Sequence, residues 1–268
     1  MDNERFNITI EVVPPAGPDP GKLLSTLDTL QTLNFDGFSV ATNPVAKPNM
    51  NALAMCSILK NRYKKDAILH CTTRDHNRLS LQGLLWGATA LDIKTVIIMT
   101  GDMVAFKDRG LTSTVRDLNV MELVKMSREA GLNTGVVIEP INDATKMDPL
   151  IKRLEKKVEA GAQFVVTQPV YDEEGANLLY KMTKPLGIPV ILGILPLRTF
   201  RHAEFLHNKV SGIYVPNHVR ERIKQAKESV SEGNANAKEV LQIAKSLFNG
   251  ACIMPPFEHF EVMSEILD

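Results

Sequence analysis

Eight short β-rich runs alternate with stretches of helical period, in a chain of 268 residues that is close to the ~250 residues of one α/β barrel. This alternation and length predict an α/β protein, a single (β/α)8 TIM barrel occupying residues 1–268 as one domain, with extra helices before the last strand. A further observation agrees: nearly every run ends on a polar or titratable residue beside a Pro or Gly. A closed barrel collects its strand ends on one face, so residues distant in sequence meet there in one site. An enzyme is therefore expected.

The first run, residues 8–13, is apolar except for Thr9 and Glu11 and is closed by Pro14 and Pro15. Residues 22–33 place Leu at 23, 24, 27, 30 and 33, the apolar stripe of a helix. The second strand, 37–42, ends at Thr42, and helix 51–63 follows with Leu53, Met55, Ile58 and Leu59 inward. Strand 67–72 carries His70 and leads to helix 78–91. Strand 95–102 closes on Thr100-Gly101-Asp102, and helix 115–130 stops at Gly131. Strand 134–140 contains Glu139, and helix 148–160 opens on Asp148-Pro149 and stops at Gly161. Strand 164–169 ends in Gln168-Pro169, and helix 172–183 stops before Pro185. Caps or Pro at the starts and Gly or Pro past the ends punctuate these helices. After strand 189–196 come three helices, 200–207, 216–230 and 236–248, with 212–215 taken as a loop and 231–236 as a polar turn. Strand 251–256 closes the barrel.

Composition limits the function. Apolar residues make up 44% and charged residues 23%, and Lys plus Arg equals Asp plus Glu at 31 each. A core can be buried, and no excess positive charge draws in nucleic acid or an anionic membrane. Cys56, Cys71 and Cys252 are widely spaced with no CxxC pair, which fits a reduced intracellular protein. The polar start, residues 1–7, and the lack of a long apolar run make a cytoplasmic location the expectation.

Glu11 is the sharpest chemical feature. Alternation puts it on the face of Thr9 and Val13, opposite Ile8, Ile10 and Val12. That face points into the barrel mouth, where desolvation raises a carboxyl pKa and keeps the acid protonated near neutral pH, as a general acid requires. A structural ion pair is the competing reading. Gly101 lets the backbone approach a ligand and Asp102 can accept from ring N–H groups, although Gly-Asp is also a common turn. Gln168 offers donor and acceptor to a heterocycle edge, or is a satisfied loop amide. Residues 70–78, His-Cys-Thr-Thr-Arg-Asp-His-Asn-Arg, either bind phosphate or form a loop tied by its own polar groups, with Asn77 as a helix cap. Metal is disfavoured, because its two His are six apart with no Cys or Glu at ligand spacing. No GxGxxG, GxxxxGK[ST] or GxSxG occurs, which disfavours a Rossmann dehydrogenase, a P-loop enzyme and an α/β-hydrolase.

Ile10-Glu11-Val12-Val13-Pro14-Pro15 resembles the opening strand of the methylenetetrahydrofolate reductases, and residues 70–78 resemble their H-x-T-x-R-D-x-N-R segment. Thr100-Gly101-Asp102, residues 156–169 and Gly193-Ile194-Leu195-Pro196 continue the likeness in the same order, from about residue 8 to 266. The resemblance implies a flavin-dependent barrel that reduces 5,10-methylenetetrahydrofolate to 5-methyltetrahydrofolate, in one-carbon metabolism and methionine biosynthesis. It implies Glu11 as general acid and Asp102 beside flavin and pterin. Gln168 would bond the pterin and Phe200 would pack against folate or nicotinamide. For the flavin, FAD with FMN as the smaller alternative, it implies Thr42, His70, Thr100, Gly101 and Asp102, with Lys156 and Lys157 near the phosphate or adenosine end. Two neighbouring Lys on a helix are also an ordinary solvated face.

Residues 137–140 depart from the family's aromatic-Pro-Glu, which puts a flavin-stacking contact in doubt, and residues 253–257 lack its Arg-bearing tail. Electrons would come from NADH or NADPH, or through an iron–sulfur partner subunit, and a homo-oligomer is expected. The alternatives are a flavin- or folate-binding subunit of a larger one-carbon complex and a flavin-free barrel lyase.

Overall fold

Eight parallel strands close into a barrel in chain order, each hydrogen-bonded to the next and the eighth to the first. The computed structural model describes residues 5–141 and 143–267, so the polar start is described only from Arg5. The strands are β1 (Asn7–Val12), β2 (Gly37–Val40), β3 (Asp66–Thr72), β4 (Thr95–Met99), β5 (Asn133–Ile138), β6 (Phe164–Pro169), β7 (Val190–Ile194) and β8 (Gly250–Ile253). Helices α1 (Gly21–Leu27), α2 (Ala52–Tyr63), α3 (Arg78–Ala90), α4 (Val120–Glu129), α5 (Ala144–Glu159) and α6 (Glu173–Thr183) follow the first six strands in turn. Three more, α7 (Phe200–Lys209), α8 (Asn217–Gln225) and α9 (Ser229–Leu247), precede β8, as the sequence predicted, and α10 (Val262–Leu267) follows it.

Alternation along the strands builds two cores. Ile10, Val12, Leu69, Val96 and Ile98 face the helices in the large outer core. Their neighbours on the opposite face, Ile68, Ile97, Phe164, Val166, Ile191 and Cys252, fill the lumen. The barrel is thus packed through its middle, and only its mouth is open to ligands. The three cysteines are buried and free, and burial pushes the thiols of Cys71 and Cys252 up to about 12.

Several boundaries differ from expectation, and three of the differences have a local reason. Helix α4 starts at Val120 instead of residue 115, because Asn119 and Glu122 form a reciprocal capping box and Val115 N–H is spent on Arg74 O at 2.9 Å. Helix α5 starts four residues early, with the Asp143 side chain accepting from Thr145 and Lys146 N–H, and carries Pro149 within it. The expected polar turn 231–236 lies within the first two turns or so of α9. Its small and polar residues are used for packing: a Cβ on Gly233 would lie 1.7 Å from Leu197 O, and Asn236 Nδ2 donates to Tyr171 O at 3.0 Å. Residues 212–215 are a loop, as expected.

Candidate active site

A cavity of about 450 Å³ opens at the C-terminal mouth of the barrel, with Glu11, Ser39, His70 and Cys252 on its floor and Thr42, Asp102 and Gln168 around it. Glu11 is placed by β1, where it pairs in register with Ser39 of β2. Its side chain is half-buried, and its carboxyl has no hydrogen bond or ion pair among the described residues. Burial pushes its pKa from the ordinary 4.5 up to about 7. An acid in that state exchanges its proton near neutrality, and no structural ion pair accounts for it.

His70 stands beside it on β3, buried, with Nε2 2.7 Å from Ser39 Oγ. Burial lowers its pKa to about 4, so the ring is neutral over the physiological range. Thr42 Oγ1 donates to the His70 carbonyl at 2.5 Å, tying the ends of β2 and β3 together. Cys252 keeps its proton because of burial first and the Glu11 carboxylate second.

Residues 70–78 form a loop tied by its own polar groups. Arg74, 4% exposed, donates from Nε to Asp75 Oδ1 at 2.5 Å and from Nη2 to Asp75 Oδ2 at 2.7 Å. Its remaining donors reach the carbonyls of Asn43 and Asp102 in the two flanking loops. Burial alone would raise the Asp75 pKa, but bonds from Arg74, Asn43 and Thr72 outweigh it and hold the carboxyl below its usual range. Asn77 caps α3 through Ser80 N–H. Among the described residues no cluster of His, Cys, Asp or Glu could hold a metal.

Asp102 stands where three cavities meet: the 450 Å³ mouth, a larger one of about 920 Å³ and a groove of about 170 Å³. Its Oδ2 accepts from Val45 N–H at 2.6 Å. That bond holds the β2–α2 loop in a strained form, with Asn43, Val45 and Ala46 at φ of 43°, 49° and 55°. A β-branched residue such as Val45 rarely takes this conformation. Gly101, at φ +87°, has no side chain because a Cβ would lie 3.1 Å from Thr72 and 3.2 Å from Arg74. Thr100 and Gly101 line the larger cavity and the groove with Asp102.

The two lysines separate. Lys157 is buried in the wall of the groove, Nζ donating to Val137 O at 2.7 Å, and burial lowers its pKa to about 8. Lys156 is exposed on the outer side of α5 and lines none of the three cavities. Phe200 also lies outside the mouth, packed on the cluster around Leu197 and Val219 with Lys224 Nζ 5.1 Å from its ring centroid. The aromatic rings that line the cavity are Phe205 and Phe257, the latter 5.1 Å from the His202 ring. Sequence reasoning missed both, and it missed Arg116 and Arg153 on the wall of the large cavity. The available signals were Phe257 directly after Pro255-Pro256 and the cations of the 103–119 loop, part of which reads as helix.

A family model for methylenetetrahydrofolate reductase matches residues 1–260. Methylenetetrahydrofolate reductase 2 of Schizosaccharomyces pombe is 23% identical over 217 residues, 74% of this chain and 34% of that protein. The protein of Caenorhabditis elegans named "Probable methylenetetrahydrofolate reductase (NADPH)" is 23% identical over 166 residues, 60% of this chain and 25% of that protein. The chain thus spans a quarter to a third of the length of these relatives. Among solved structures, an uncharacterized protein from Clostridium thermocellum, described as binding two copies of 5-methyl-5,6,7,8-tetrahydrofolic acid, superposes with a TM-score of 0.74 at 16% identity. That match covers 99% of this chain and 93% of the other. A 2,3-dimethylmalate lyase superposes at 0.54 with 12% identity, covering 98% and 80%. At these identities the structural likenesses establish the barrel alone, whereas the family match over nearly the whole sequence establishes descent: the chain belongs to the methylenetetrahydrofolate reductase family.

Proposed function

We propose that this barrel catalyses flavin-dependent reduction of 5,10-methylenetetrahydrofolate to 5-methyltetrahydrofolate, with Glu11 as the general acid. The observation that carries the reading is the unpartnered, half-buried Glu11 carboxyl, its pKa near 7, at the floor of an open cavity. When bound, the flavin supplies a hydride from its reduced N5. The mouth suits a flat heterocycle, since apolar Met99, Leu195, Phe205, Met254 and Phe257 line it beside the polar floor. The 920 Å³ cavity adjoining at Asp102 has Arg116 and Arg153 on its wall. That second chamber favours FAD over FMN, because a dinucleotide has a diphosphate and adenosine to place there.

Glu11 donates its proton to the bridge nitrogen that leaves the methylene carbon, which opens the ring of the folate to an iminium ion ready for hydride. Gln168 presents its amide to the pterin edge. Asp102 places negative charge at the junction of the chambers. Neutral His70, held by Ser39, and Thr42 set the polar wall beside the flavin ring. Phe205, Met254 and Phe257 supply the apolar wall that excludes water, the part the resemblance gave to Phe200. Lys157 lines the groove, where it would meet the cofactor's polar chain, whereas Lys156 lines none of the three cavities and is left without that role. A folate ligand is supported by the C. thermocellum neighbour, and a nicotinamide donor by the C. elegans relative's name.

The test uses the full chain incubated with FAD. The expected result is a yellow protein whose absorbance is bleached by NADH, NADPH or a chemical reductant and restored by methylenetetrahydrofolate. A protein that takes up no flavin and turns over no folate overturns the reading. Bleaching by chemical reductant alone, with restoration by folate, assigns the electron supply to a partner subunit.

A further inference from the structure

Helix α3 differs from the other barrel helices on its outer side. From Leu79 to Leu91 it carries no charged residue. Leu79 is 81% exposed and Trp86 62% exposed, and the following Leu91 is 46% exposed. Leu79, Gly83, Trp86 and Ala90 fall at helical spacing on one face, a solvent-facing apolar stripe about 16 Å long. Unlike the exposed Phe205 and Phe257, none of these residues lines a ligand cavity.

The stripe is self-complementary in shape. A Cβ added to Gly83 would meet nothing within 4 Å, so the helix has an open notch there, one turn from the bulk of Trp86. When two α3 helices pack antiparallel about a two-fold axis, position 83 falls opposite 86 of the other copy, and 79 opposite 90. Each large side chain then meets a small one: Trp86 on Gly83 and Leu79 on Ala90. At the ends, Arg78 falls beside Asp92 of the other copy, whose exposed carboxylate also pairs with Lys60 and Lys94 of its own chain. A self-pairing interface of this kind is isologous, and a face without charges meets its own copy without like-charge repulsion.

We propose that the outer face of α3 is a two-fold interface between two copies of this chain, each Trp86 seated over Gly83 of the other. A stable interface covers ~800 Å² on each partner, more than one helix stripe provides, so α2 and α4 contribute flanks and association falls in the micromolar range. The exposed residues of these flanks, Ala54, Asn61 and Arg62 of α2 and Glu122, Lys125 and Arg128 of α4, would form a polar rim of mixed charge around the apolar stripe.

Trp86 is the single tryptophan of the chain, so it reports on its own burial. Sedimentation equilibrium through the micromolar range should show a monomer–dimer equilibrium, with Trp86 emission shifting to the blue as the dimer fills. Trp86→Glu puts a charge at the knob and Gly83→Leu fills the notch; both should give a monomer at every concentration. Gly83→Leu should also melt no lower than the parent, because an exposed helical glycine is replaced by a better helix former. A parent chain that stays monomeric, or a dimer that survives both substitutions, overturns the proposal.

Discussion

Two carboxyls at the same barrel mouth are held in opposite states. Glu11, on the floor, has no partner among the described residues and is pushed up to about 7 by burial. Asp75, on the rim, is also buried in part, yet Arg74, Asn43 and Thr72 hold it below the ordinary carboxylate range. The difference lies in what the backbone places nearby. On β1 the neighbours of Glu11 are a hydroxyl and a thiol that bond elsewhere, while Arg74 is adjacent in sequence to Asp75 and has no other acid to serve. The rim acid is a fixed strut, and the floor acid is left free to exchange a proton.

The largest effect should come from removing the free proton. Glu11→Gln should fold as the parent does and lose ~100 to 10,000-fold in folate reduction, measured by stopped-flow oxidation of the prereduced protein. If turnover were unchanged, the contrast between the two acids would have no catalytic meaning. The strut is broken by Arg74→Met, which leaves the half-buried Asp75 with only its bonds from Asn43 and Thr72 and costs ~3 kcal/mol. For a chain of this size that lowers the melting temperature by roughly 10 °C in a calorimetric scan.

Acidity gives a subtler separation. The raised pKa of Glu11 contributes stability that is present below about 4.5 and is lost as pH rises to about 7. The lowered pKa of His70 contributes stability that is present above 6.5 and is lost as pH falls to about 4. The two slopes oppose one another between about 4.5 and 6.5, so the parent's melting temperature should be nearly flat there. In Glu11→Gln only the His70 slope remains, and the melting temperature should rise with pH across that window. A parallel pair of curves would show that Glu11 is ionised throughout. The smallest effect belongs to Gly101→Ala, where positive φ and the contact with Thr72 should cost ~1–3 kcal/mol in denaturant unfolding and weaken flavin uptake.

The barrel was legible because period-2 runs of β-branched residues stand between glycine and proline punctuation, and each of the eight forms a strand within a few residues of its expected ends. Glu11 was legible for the same reason: a charge inside an apolar alternation has one face to occupy. Gly233, Asn234 and Asn236 were misleading because turn-forming residues also serve where helix α9 presses against the backbone of Leu197 and Tyr171. Of the Arg74 hub only the local part was legible, the loop 70–78 tied by its own polar groups; its reach to Asn43 and Asp102 and the position of Phe200 were not. Both depend on which loops meet in space, and neither α7 nor the β4–α4 loop has a periodicity that encodes it.

The buried thiols have a practical consequence. With Cys56, Cys71 and Cys252 all covered by other atoms and fully protonated at neutral pH, the native chain offers thiol-directed reagents no reactive thiolate. A cysteine placed at an exposed position such as Phe106 would be the sole handle for a dye or spin label. The motion of the loop beside the mouth could then be followed in an otherwise unaltered protein.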